Sequence, residues 1–197
     1  MKERNFFFKV GYLFFKPIKF LKLDLNLQIT ISIMVLGILT VFNSLAAFYL
    51  EKPSTNANDF ASKLAVNPVF GAATDVLLAF ISLLVTSFIY YLALKYIFKI
   101  GIEYKQSTLL IALISIPSII KNIWDNIYKM YTGNSMNYNY QGTFIHQASV
   151  YVNIFVLWEA ILFFLFLKYY MHQSNKKSAI LTIIFVTIPI IIHIVVL

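Results

Sequence analysis

Five apolar runs, at 27–49, 75–96, 107–124, 148–170 and 178–197, leave this chain little choice of solvent. Each is long enough to cross about 30 Å of hydrocarbon as a helix. Helix is also the only workable state, because isolated strands would leave backbone amides unpaired in lipid and the runs lack the period-two alternation of a barrel. With 60% hydrophobic and only 12% charged residues, against roughly 25% charged in soluble domains, a water-soluble globule is excluded. The pattern predicts an all-α fold: one integral membrane domain over 1–197, a bundle of five transmembrane helices preceded by residues 1–26. No length remains for an extramembrane domain.

Charge orients the bundle. Lys2, Arg4, Lys9, Lys16, Lys19 and Lys22 precede the first run, Lys95, Lys99 and Lys105 follow the second, and Lys168, Lys176 and Lys177 follow the fourth. The other side carries only Lys52, Lys63, Lys121 and Lys129. Positive segments stay in the cytoplasm, so the amino terminus is expected inside and the carboxyl terminus outside. The net charge of +8 therefore reads as orientation and attraction to lipid headgroups rather than to nucleic acid. Ser44-Leu45-Ala46 loosely resembles a signal-peptidase site, but the apolar core before it is too long for a signal peptide, and an uncleaved anchor is expected.

Residues 5–22 interleave aromatic and basic side chains and are too short to span. They read as an interfacial amphipathic segment on the inner leaflet, with Lys9, Lys16, Lys19 and Lys22 at the headgroups and Pro17 dividing it into two short helices. The outer segments, 51–74 and 125–147, are rich in Asn, Ser, Thr, Tyr and Gly, as solvated loops are.

An internal repeat is visible. Laying Lys95 on Lys168 aligns Leu94-Lys-Tyr with Leu167-Lys-Tyr, and further on Ser115-Ile-Pro with Thr187-Ile-Pro. Both units run from outside to inside and back, so the pattern is a parallel duplication of a helical hairpin. Pro117 and Pro189 then fall at equivalent places near the midplane, freeing the carbonyls of Leu113 and Phe185 and offering kinks that frame a cavity.

Glu159 is the sharpest candidate for chemistry. An ionised carboxylate near the middle of a span costs at least about 2.5 kcal/mol, so it should face protein. It suits proton or cation coupling, or a structural hydrogen bond to Asn43 or Thr86. Asp75 begins the second run and His193 lies in the outer part of the fifth, near enough to meet with His146, yet their spacing matches no metal-ligand motif. A capping role for Asp75 and a local hydrogen bond for His193 are the plainer expectation. The chain has no cysteine, no His-Glu-x-x-His, no Gly-x-Ser-x-Gly, no Gly-rich phosphate loop and no pair of acids within two helices. Neither cofactor nor enzymatic activity is expected. The expected partners are membrane lipids and other membrane proteins or a second copy of the chain.

Three stretches together resemble the bacterial branch of the Yip family, multispanning proteins whose eukaryotic members interact with Ypt/Rab GTPases. They are the basic-aromatic start around Lys16-Pro17, the segment from Glu103 through Ser115-Ile-Pro117, and Leu157-Trp-Glu-Ala-Ile-Leu continuing through Lys168 to Lys177-Ser-Ala. The aspartate- and glycine-containing signature of eukaryotic members is absent, so Rab binding is not carried over. What the resemblance implies is a five-helix bundle with a cytoplasmic amino terminus and a non-enzymatic role as a partner in the bacterial inner membrane. Some bacterial relatives are associated with export systems and with protection from antimicrobial peptides. The competing expectation is a small oligomeric transporter or channel with a midplane site around Glu159.

Overall fold

The computed structural model describes residues 6–50, 67–132 and 153–196, and among them every regular element is a helix. Pro17 acts as the sequence suggests. It ends α1 (Phe6–Phe15) by forcing Lys16 out of helical geometry and then opens the single turn of α2 (Pro17–Phe20). The segment is docked rather than loose. Leu13 and Phe20 are buried, and the ring of Phe14 lies 6.4 Å from that of Trp158. Phe7, Phe8 and Phe15 face outward, as do Lys16, Lys19 and Lys22, while Lys9 is half-buried.

Asp24 accepts the backbone N–H groups of Asn26 and Leu27 at 3.0 and 3.3 Å, capping α3 (Leu25–Leu50). One turn later the Gln28 amide donates to the carbonyls of Phe20 and Leu23 at 3.0 and 2.8 Å, tying the docked segment to the first long helix.

The second span begins earlier than its apolar run. Asn67 caps α4 (Pro68–Leu92), accepting from the N–H groups of Val69 and Phe70, and Pro68 occupies the first helical position, where no donor is needed. Asp75 is therefore not the cap. It sits two turns inside the helix, exposed. A five-residue π-helical turn, Ala93–Ile97, ends this arm. Then α5 (Tyr104–Thr132) runs past residue 124, carried on by the Lys121–Asp125 ion pair at i, i+4 spacing. Next come α6 (Ile154–Leu165), capped by Asn153 and continued by a second π turn, Phe166–Tyr170, and α7 (Asn175–Val196). The start of the fourth run, 148–152, lies outside the described residues.

The helix α5 is the hub, packing against α3 most extensively and against α4 and α6, whereas α7 leans chiefly on α6. From Ser107 to Ile114 every side chain of α5 is buried. The helices Leu25–Leu50, Pro68–Ile97 and Tyr104–Thr132 are long and apolar enough to cross a membrane. In its most apolar stretch Tyr104–Thr132 is 56% buried within the protein and Pro68–Ile97 only 11%. The first is therefore core, and the second gives most of its surface to the surroundings.

Backbone geometry repeats where the sequence repeats. After the first π turn Phe98 N–H bonds the Ala93 carbonyl at 3.1 Å and Ile100 N–H the Leu94 carbonyl at 2.9 Å. After the second, Met171 bonds Phe166 at 3.0 Å and Gln173 bonds Leu167 at 3.0 Å. Lys99 and His172 take positive φ at the same point, 51° and 52°. Lys95 stands over the rings four residues before and one after it, Tyr91 and Tyr96, and Lys168 likewise over Phe164 and Tyr169. π turns account for well under 1% of residues in proteins, so two with identical exits mark these as copies of one hairpin. Ser115 and Thr187, each two residues before the helical proline, also match: both hydroxyls donate to the carbonyl four residues back.

Candidate functional site

A polar ladder runs along the carboxyl-terminal half of α5. Ser118, Lys121 and Asp125 follow at three- and four-residue intervals, which stacks them on one face of the helix. Ser118 donates its hydroxyl to the Glu159 carboxylate on α6. One turn on, Lys121 Nζ meets Asp125 at 3.0 Å and lies within electrostatic reach of Glu159. Beyond it, Asn126 donates its amide to the Asn43 side chain of α3 at 3.1 Å. One helix thus ties itself through polar groups to two of its neighbours, α6 and α3. Hydrogen bonds of this kind carry roughly 0.6 to 2 kcal/mol each between membrane helices.

Glu159 is half-buried, with its carboxylate hydrogen-bonded to protein. Its partner, however, is Ser118 rather than Asn43 or Thr86: Asn43 is taken by Asn126, and Thr86 lines a cavity. That cavity, about 280 Å³, lies among α3, α4 and α5, and Thr40, Ser82, Thr86, Ser115 and Ser118 supply its hydroxyls between apolar side chains. Ser118 belongs to both places, so the cavity and the half-buried carboxylate adjoin. Such an arrangement can anchor helices, and it can pass a proton between the carboxylate and the hydroxyls of the cavity.

The prolines fall beside cavities. Pro117 is fully buried, between the cavity residues Ser115 and Ser118, and α5 continues through it. Pro189 lies within α7 and lines a second cavity of about 160 Å³. Of Asp75, His193 and His146, Asp75 is exposed on α4, and the His193 side chain and His146 lie outside the described residues. Lys121, Asp125 and Asn126 fall at the end of an apolar run, where by sequence they read as the start of an outer segment. The signal was the polar spacing of 118, 121 and 125 on a single helix face.

The proline break at Lys16-Pro17, the segment from Glu103 into α5 with its internal Pro117, and the stretch from Leu157 through Lys168 to Lys177 carry the resemblance. The family model of the Yip1 domain matches residues 13–197. This chain belongs to the Yip1 family. The match takes in every helix from the end of α1 to α7, which makes the protein a multi-pass membrane member of the Yip1 family. No curated protein and no solved structure matches it.

Proposed function

We propose that this Yip1-family protein is a non-enzymatic scaffold or accessory subunit of the bacterial cell membrane. In this reading five spans form one membrane domain with the amino terminus in the cytoplasm, serving an ABC-type exporter or protection from antimicrobial peptides. The pairing of Glu159 with Ser118 carries the reading. The intramembrane acid, the residue best suited to chemistry, is engaged in joining α5 to α6. The outward apolar face of α4, with Leu77, Ile81, Val85 and Phe88 all exposed, offers room for a membrane partner. Orientation rests on the basic residues, since antiparallel hairpins bring Lys16, Lys19 and Lys22 to the same end as Lys95, Lys99, Lys168, Lys176 and Lys177.

The test is crosslinking in native membranes followed by purification in mild detergent. A stoichiometric transporter or receptor subunit is the expected companion, and recovery of the chain only with itself would sink the accessory role. The cavity beside Ser118 supports a second reading, an oligomeric transporter or channel. It expects substrate-dependent flux in liposomes that disappears in Glu159→Gln, where the accessory role expects no flux at all.

A further inference from the structure

The gap between α4 and α7 has the shape and polarity of a single lipid. These two helices barely meet except through the Tyr90 and Phe185 rings, whose centroids are 6.1 Å apart. Beside that contact two cavities run into one another. The upper one, about 160 Å³, is almost wholly apolar; Phe163 and Phe185, stacked at 4.5 Å, contribute to its wall, and Pro189 lies at its deep end. The lower one, about 300 Å³ and open, is lined by Ser174, Lys176 and Lys177 at the start of α7. Phe98, Leu181 and Ile184 line both, so the two form one groove with a basic mouth and an apolar interior.

Length and charge identify what fits. From Lys177 to Pro189 the helix rises roughly 18 Å, close to half of a hydrocarbon core about 30 Å thick. One acyl chain of one leaflet fills that depth. The mouth presents two ammonium groups and a hydroxyl, and no carboxylate lines either part of the groove among the described residues. We propose that this groove binds one anionic glycerophospholipid, its phosphate held by Lys176, Lys177 and Ser174 and one acyl chain laid between α4 and α7 up to Pro189. The orientation proposed above puts the mouth at the inner leaflet, where anionic lipids concentrate; the groove itself does not depend on that orientation.

The hairpin copy shows why the groove is not repeated between α4 and α5. At the corresponding start of α5, Ser107 donates to the Ser87 carbonyl at 2.7 Å and Tyr104 to the Leu84 carbonyl at 3.1 Å, which closes α4 onto α5. No such bond ties α7 to α4 among the described residues, and the Ser178 hydroxyl is buried without a partner.

Full-length protein from nanodiscs of equal phosphatidylglycerol and phosphatidylcholine, released into mild detergent, is weighed by native mass spectrometry. One phosphatidylglycerol should remain bound. Replacing Lys176 and Lys177 together by Ala should lower its retention roughly twenty-five-fold, at about a factor of five per lysine, while the same loss of charge at Lys105 and Lys129 leaves it unchanged. Phosphatidylglycerol carrying a photoreactive acyl chain should crosslink to peptides holding Ile184 and Phe98, and Ile184→Trp should abolish this. Equal retention of phosphatidylcholine, an unaffected lysine variant, or crosslinks spread evenly over the outward faces of α3 and α4 would each overturn the proposal. Should Ile184→Trp fail to fold, the lysine pair at the mouth still decides.

Discussion

The two hairpins, α4 with α5 and α6 with α7, share a turn and differ in what they do with it. Both pass through a π turn, bury its leucine (Leu94 or Leu167), hold a lysine over aromatic rings and leave through a positive φ. The first is then sealed by side-chain bonds to backbone and sends α5 into the centre of the bundle, while the second leaves α7 at the rim beside an open groove. The turn is built from local hydrogen bonds and so survives duplication intact. The helix flanks depend on which neighbours they meet, and there the copies have diverged.

The contrast between core and rim breaks most visibly at α5. Leu110, with no exposed surface, should cost about 2 to 5 kcal/mol when replaced by Ala, whereas Leu84→Ala on α4, 38% exposed, should cost under about 1 kcal/mol. Reversible unfolding in mixed micelles measures both, and equal losses would dissolve the distinction between hub and rim. The likeness of the turns is sharpened by Lys99→Gly and His172→Gly. Each relieves a left-handed residue that disfavours an ordinary side chain by about 1 to 2 kcal/mol, so both should stabilise, and by similar amounts; a gain at only one turn would mean that the copies no longer share their geometry.

Smaller effects test the polar ties. Ser118→Ala should lose roughly 0.6 to 1.7 kcal/mol by orphaning the Glu159 carboxyl, while Glu159→Gln, whose amide oxygen still accepts from Ser118, should stay within about 0.5 kcal/mol of wild type. Indistinguishable melting of the Ser118→Ala protein would remove the ladder as a structural element. Smallest of all is the serine pair at the hairpin starts. Ser107→Ala forfeits a bond worth about 0.6 kcal/mol, but Ser178→Ala removes an unpartnered hydroxyl and should be neutral or slightly stabilising. A destabilising Ser178→Ala would show that this hydroxyl has a partner in the membrane.

Much of this architecture follows from residue order alone. Apolar length makes the spans helical because lipid offers no other partner for the backbone. Pro17 must break the first segment, Glu159 must turn inward, and Leu94-Lys-Tyr and Leu167-Lys-Tyr must behave alike because their turns close on themselves. Boundaries were less legible: Asn67-Pro68 starts α4 well before the apolar run, since a cap is a property of two residues and not of mean hydropathy. What only the tertiary structure decided is which faces meet. Spans that are apolar nearly all round carry no stripe to mark an interface, so the choice of Ser118 over Asn43 for Glu159, the central place of α5 and the groove left between α4 and α7 all come from packing, where shape rather than hydrophobicity selects the neighbour.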